Sequence, residues 1–256
     1  MNMSIRVENL VKGFNNIFAV ENLSFNLCRG EILGVVGPNG AGKTTLINLL
    51  AGIYKQDSGH IFYDDTPFVQ NDISLKRRLG ILPERLGMFE QLRGEEYLYF
   101  ISRFYGLSET QTPKYMDELF HFMDMEEDKM KFIHQYSSGM KKKIAISAVL
   151  IHSPKIVIMD EPFENIDPIS IKNINDVLKK LAQDGSTIII TSQILQSVEK
   201  ICSDILIIEQ GKNILFDKMA NIQSYMKESI KKGQNSSLEQ LFFDIMKTRD
   251  QEKSLS

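Results

Sequence analysis

Residues 37–44 read Gly37-Pro38-Asn39-Gly40-Ala41-Gly42-Lys43-Thr44. This is G-x-x-x-x-G-K-[ST], and its flanks matter as much as its letters. Before it, Ile32 to Val36 is a short apolar run that reads as a strand. After it, Lys43 to Ile53 reads as a helix. A strand, a glycine-rich turn and a helix in that order let backbone N–H groups turn inward around phosphate oxygens. The positive end of the helix dipole lies behind them. Lys43 then reaches the β- and γ-phosphates, and the Thr44 hydroxyl is a candidate Mg²⁺ ligand. With Thr45 in the same first turn, residues 37–45 form the candidate phosphate-binding set.

Working outward, Ile5, Val7, Leu23, Phe25 and Leu27 alternate with polar residues, as half-buried antiparallel strands do. Ile61 to Tyr63 and Leu79 to Leu82 read as further strands. From Arg85 to Leu150 the chain turns helix-rich, with Met116, Met123, Met125 and Met130 set among charges. Strands return at Ile156–Met159, Ile188–Thr191 and Ile205–Ile208, with helices between them. Alternating strands and helices imply a parallel sheet with crossovers. The expected fold class is α/β: a mainly parallel core sheet, an N-terminal antiparallel β edge and an inserted helical subdomain. The divisions fall at 1–84 for the first half of the core, 85–150 for the helical segment, 151–217 for the second half, and 218–256 for a C-terminal extension. Within that extension, a polar stretch from Lys227 to Ser237 leads to an apolar helix, Leu238 to Met246, and a frayed tail.

Ile156-Val157-Ile158-Met159 ends in Asp160-Glu161. A buried strand delivers both carboxylates to the C-terminal edge of such a sheet, where ligands bind. Asp160 is suited to hold Mg²⁺. Glu161 lies one residue nearer the γ-phosphate and is suited to polarise a water as general base.

The two motifs together resemble those of the ATP-binding subunits of ABC transporters, and the resemblance covers nearly the whole chain. Tyr136-Ser137-Ser138-Gly139-Met140 lies between them, with Ser137 23 residues before Asp160. It resembles the family signature LSGGQ at Ser137 and Gly139, and departs from it at Tyr136, Ser138 and Met140 in the style of exporter-type members. The resemblance implies that this helix start faces the γ-phosphate bound by a second subunit. It also implies that Phe14 stacks on adenine, and that the loop containing Ile166-Asp167-Pro168 links the two sites of a dimer. Asp167 reads equally well as the cap of a helix starting at Pro168. Ser237 to Phe243 resembles the closing helix of exporter-type members. Glu84 stands where the family often has Gln, and keeps an oxygen ligand for Mg²⁺. Gln193, in Thr191-Ser192-Gln193, stands where the family usually has His. Its amide donates a hydrogen bond but never carries a positive charge. Either turnover is slowed or a water does the work of the missing imidazole.

The implied function is an ATP-hydrolysing subunit that dimerises around two MgATP and powers transmembrane permease subunits, with a lean to export. It would sit on the cytoplasmic face of the membrane through those partners. Phe89, Leu92, Tyr97 and Phe100 are candidates for the docking groove or for the helical core. The alternatives are a soluble ABC-type ATPase acting on ribosomes, DNA or a signalling partner, and a nucleotide-gated module that barely hydrolyses. Composition bears on these. Of 256 residues, 30 are Lys or Arg and 33 Asp or Glu, so the net charge of -3 gives no electrostatic case for nucleic acid. No apolar run approaches the ~18 residues that cross a bilayer, and the N-terminus has no signal-peptide apolar region. Cys28 and Cys202 form no CxxC, which points to a reducing compartment. His60, His121, His134 and His152 have no metal-ligand spacing, and Lys141-Lys142-Lys143 reads as a solvated helix face.

Overall fold

The computed structural model describes residues 3–70, 72–231, 237–240 and 242. In chain order the elements are β1 (Met3–Phe14), β2 (Ile17–Cys28), β3 (Ile32–Val36), α1 (Lys43–Leu50), β4 (Ser58–Tyr63), β5 (Thr66–Pro67), α2 (Ile73–Lys76) and β6 (Leu79–Leu82). The helical stretch follows as α3 (Gly94–Phe104), α4 (Thr112–Phe122), a short 3-10 turn at Ile133–Gln135 and α5 (Ser138–Leu150). The chain then runs through β7 (Ile156–Met159), α6 (Pro168–Gln183), β8 (Thr187–Thr191), α7 (Leu195–Ile201), β9 (Asp204–Glu209), β10 (Lys212–Lys218) and α8 (Met219–Lys231).

Two sheets result. The larger has the order β10-β9-β3-β8-β7-β6. Its pairs from β9 to β6 are parallel, and β10 adds an antiparallel edge. The alternating N-terminal strands form a sheet of their own, β2-β1-β4-β5, antiparallel throughout. The period-2 alternation of each central strand divides the core in two. Leu33, Val35, Ile156, Ile158, Ile189, Leu206 and Ile208 face the antiparallel sheet and α1, where they meet Ile5, Leu10, Leu27 and Leu46. Ile32, Val36, Val157, Met159, Ile188, Ile190, Ile205 and Ile207 share the other cluster with residues of α5, α6 and α7. Buried on both faces, these strands read as unbroken apolar runs, as parallel strands do.

Three details depart from the sequence expectations. Helix α1 ends at Leu50 rather than Ile53, because the buried Tyr63 hydroxyl donates to the Leu50 carbonyl at 2.5 Å and satisfies one of its orphan acceptors. The lysine run is not a solvated face. Lys142 and Lys143 are buried, Lys143 Nζ reaches Asp167 at 3.1 Å, and Lys141 Nζ reaches Glu90 at 2.7 Å. Helix α5 is packed between α3 and the sheet, so the Lys141 and Lys143 stems run along apolar surface to carboxylates at its margins. Finally, helix α8 carries the backbone to Lys231, through part of the expected polar linker. Leu238 and Phe242 pack against the core, while Leu241, Phe243 to Met246 of the expected closing helix, and the tail lie outside the described residues.

Removing only the Tyr63 hydroxyl, as Tyr63→Phe, leaves the Leu50 carbonyl without that partner. The variant is expected to lose about 1–3 kcal/mol of stability, read as a lower midpoint of urea unfolding at an unchanged slope.

Candidate functional site

The register of the parallel strands assembles the site. β7 pairs with β8 so that Met159 lies opposite Ile190, which sets Asp160 beside Thr191. β6 pairs with β7 so that Leu82 lies opposite Met159, and the Asp160 N–H donates to the Leu82 carbonyl at 2.9 Å. β3 pairs with β8 with Val35 opposite Thr191, so the glycine-rich turn leaves the same edge. The strand ends thus bring Gly37, Glu84, Asp160, Glu161 and Gln193 together.

The resulting cleft holds about 550 Å³ and is lined by Ala19, residues 39–45, Glu84, Glu161 and Gln193. Gly42 has a φ of +105, and a Cβ there would overlap the Ala19 carbonyl oxygen, so only glycine fits this turn. No side chain caps α1, so the first-turn N–H groups are open to an anion. Lys43 Nζ donates to the carbonyls of Gly37 (2.8 Å) and Pro38 (3.2 Å), folded back into the loop its own helix follows. Burial lowers the Lys43 pKa, and the carboxylates of Glu161, Asp160 and Glu84 oppose that shift.

The acidic pair is unevenly satisfied. Asp160 is 1% exposed; its Oδ1 accepts from the Thr191 hydroxyl at 2.5 Å. Glu161 Oε2 accepts from the Gln193 N–H at 3.1 Å. Among the described residues, Asp160 Oδ2 and Glu161 Oε1 are buried with no hydrogen-bond partner. Burial raises the Glu161 pKa; the Gln193 N–H and the Lys43 charge pull it back. Buried oxygens left bare are costly unless something else meets them. A hard cation fits. Carboxylate and hydroxyl oxygens from Asp160, Glu84 and Thr44 suit Mg²⁺, which takes few protein ligands and keeps water and phosphate oxygens for the rest.

Not every expected site residue lines this cleft. Ser137 caps α5, its Oγ accepting from the Met140 N–H at 3.2 Å. A Cβ on Gly139 would stand 2.5 Å from the Asn165 carbonyl, so the helix start and the loop before α6 touch there. In that loop Asp167 caps α6 through the Ser170 N–H at 2.9 Å, and that bond, with Lys143, holds its carboxyl well below the usual range. The Tyr136 ring replaces the signature leucine as a buried side chain, its hydroxyl donating to the Asp128 carbonyl at 2.8 Å. Phe14 is 43% exposed at the end of β1. Its ring meets Tyr54 edge-on at 5.4 Å, and Asp57 pins the strand end through the Gly13 N–H and Lys12. The structure therefore groups the expected residues in three places: the cleft, the joined starts of α5 and α6, and the β1 tip. The expected groove residues also separate. Tyr97 lines a small cavity with Leu82, Leu86 and Ile101, while Phe89 and Phe100 are exposed and meet each other edge-on outside its lining.

Sequence reasoning missed Thr191 and Ala19. In the sequence Thr191 is only the end of an apolar strand and the first residue of Thr191-Ser192-Gln193, and nothing local gives it a role of its own. Ala19 belongs to the separate antiparallel sheet and meets the cleft only through tertiary packing.

Comparison with known proteins adds independent findings. The family model described as ABC transporter matches residues 20–164. The linearmycin resistance ATP-binding protein LnrL of Bacillus subtilis is 36% identical over 210 residues, covering 82% of this chain and 68% of LnrL. The bacitracin transport ATP-binding protein BcrA of Bacillus licheniformis is 32% identical, covering 83% of this chain and 69% of its own. A solved ATP-binding subunit of an ABC transporter superposes with a TM-score of 0.85 at 26% identity, over 95% of this chain and 99% of that one. With a matching motif set, sheet topology and relatives of this similarity, the chain belongs to the ABC transporter family and is one of its ATP-binding, ATP-hydrolysing subunits.

Proposed function

We propose that this chain is one of two ATPase subunits, alike or different, that close head-to-tail around two MgATP and drive transmembrane permease subunits in the export direction. One observation carries this reading. A partnerless carboxylate oxygen of Glu161 lies in a cleft with the Lys43 side chain and an uncapped helix N-terminus, and a second, on the buried Asp160, is close enough to act on the Lys43 charge.

In this reading Gly37, Pro38, Asn39, Gly40, Ala41, Gly42 and Thr45 cradle the phosphates through their backbone. Lys43 exchanges its two carbonyl partners for phosphate oxygens. Thr44, Asp160 and Glu84 hold Mg²⁺, which when bound offsets the charge that builds on the γ-phosphate. Glu161 orients the attacking water and takes its proton; its raised pKa suits a base better than that of an ordinary surface carboxylate. Gln193 donates to the γ-phosphate, releasing the bond its Nε2 now makes to Asn39 Oδ1 at 3.0 Å. Phe14 stacks on adenine. One subunit leaves the phosphates open on the side away from its own loop. Ser137 and Gly139 of the second subunit close that side with a helix N-terminus, and Asp167 relays between the two sites.

Residues 1–84 and 151–217 act as the halves of the ATPase core, with 218–256 as an extension. Segment 85–150 carries the signature and the permease-docking face, on which Phe89 and Phe100 are exposed. No helix among the described residues is long and apolar enough to cross a membrane, and the permease supplies the attachment to its cytoplasmic face. Relatives named for linearmycin resistance, bacitracin transport and daunorubicin resistance support export.

Glu161→Gln is expected to lower kcat about 10²-fold or more while a fluorescent ATP analogue still binds. Hydrolysis at the parent rate would contradict the role given to Glu161. Gln193→His is expected to raise kcat about tenfold, the worth of one charge-assisted bond, in a steady-state phosphate-release assay. Unchanged or lower turnover would show that the amide, alone or with a water, already does this work.

A further inference from the structure

We propose that Thr191 is a positioning residue for hydrolysis. Its hydroxyl ties Asp160 and Glu161 to the end of β8, so that one oxygen of each carboxylate is left to the cleft.

The hydroxyl makes two contacts. It accepts from the Glu161 backbone N–H at 2.9 Å and donates to Asp160 Oδ1 at 2.5 Å. The donor and acceptor roles are forced. An amide N–H only donates, so the hydroxyl must accept there, and its single proton is left for the carboxylate. Thr191 is 0% exposed, so water has no access to substitute for either bond. Glu161 has a φ of +45, a left-handed conformation uncommon for a residue with a Cβ, so its surroundings help to hold it there. Those surroundings are the end of β8. Thr191 holds the Glu161 amide, and two residues on, the Gln193 N–H holds Glu161 Oε2. With Oδ1 and Oε2 engaged, the free oxygens are Asp160 Oδ2 and Glu161 Oε1, the two that lack partners. A valine would keep the shape of Thr191 and lose both bonds, while serine would keep both.

The proposal rests on the roles given above to Asp160 and Glu161. Its test compares Thr191→Val, Thr191→Ser and Glu161→Gln in the purified full chain. The readouts are steady-state hydrolysis, titration with a fluorescent ATP analogue with and without Mg²⁺, and backbone hydrogen exchange of the peptide spanning Asp160 and Glu161. For Thr191→Val, kcat is expected to fall about tenfold to a hundredfold. Its nucleotide Kd should stay within about threefold, and the Glu161 amide should exchange faster. Thr191→Ser is expected to restore both rate and protection. A Thr191→Val chain that hydrolyses at the parent rate overturns the proposal. So does one whose nucleotide affinity falls in step with kcat, which would mean general damage to the site. If Thr191→Val does not accumulate as folded protein, exchange in the parent carries the test. Protection of the Glu161 amide equal to that of the β7 amides is expected, and exchange at the rate of an exposed loop overturns the proposal. A Glu161→Gln chain with parent activity would instead overturn the role of Glu161. An inactive Glu161→Gln beside a fully active Thr191→Val would overturn only that of Thr191.

Discussion

The register of β7 against β8 is the constraint on which the site depends. With Met159 opposite Ile190, Asp160 falls beside Thr191 and the next residue turns into the cleft. A slip of one residue would send Asp160 to the other face of the strand and exchange the side chains around which the two buried apolar clusters are packed. The register is fixed because both strands are buried on both faces. Ile156 and Ile158 need the cluster beneath the antiparallel sheet, and Val157 and Met159 need the helical cluster. Hydrophobic pattern, set for packing, thereby places the carboxylates.

Stability and function oppose each other at that edge. The site buries Asp160 and Lys43, half-buries Glu161 in a left-handed backbone conformation, and gives one oxygen of each carboxylate no hydrogen-bond partner among the described residues. Each of these is unfavourable in the free chain. The helices and sheets around it tolerate the strain because their apolar surface is extensive and nearly continuous. A bound nucleotide and cation would supply partners of opposite charge to these groups. The same reasoning explains Lys43, whose ammonium rests on two carbonyls of its own loop until phosphate replaces them.

How much could be read from the sequence follows from how local each feature is. The phosphate loop and Asp160-Glu161 were readable because a strand, a turn and a helix are contiguous, and the chemistry sits at their junctions. The strands of the parallel sheet were readable from their apolar runs. The separate antiparallel sheet was not, since alternation in Ile5, Val7, Leu23 and Phe25 announces antiparallel pairing but not what the paired strands pack on. The burial of Lys142 and Lys143 was hidden because charge implies exposure until a partner such as Asp167, 24 residues beyond Lys143, is folded beside it. Thr191 was hidden for the same reason: its two partners lie 31 and 30 residues away and meet it only through strand pairing. Phe14 was readable as a position, while its setting, with Tyr54 at its edge and Asp57 holding its strand, needed the tertiary structure.

The central claim is that a single chain holds half of each site and that nucleotide joins two halves. Sedimentation velocity of the Glu161→Gln chain, with and without MgATP, tests it most directly, because slowed hydrolysis should trap the joined state. A monomer without nucleotide that shifts to a dimer with MgATP, and fails to shift when Gly139 is also replaced by a bulkier residue, is the expected result. A chain that binds MgATP and stays monomeric at every concentration would contradict the account.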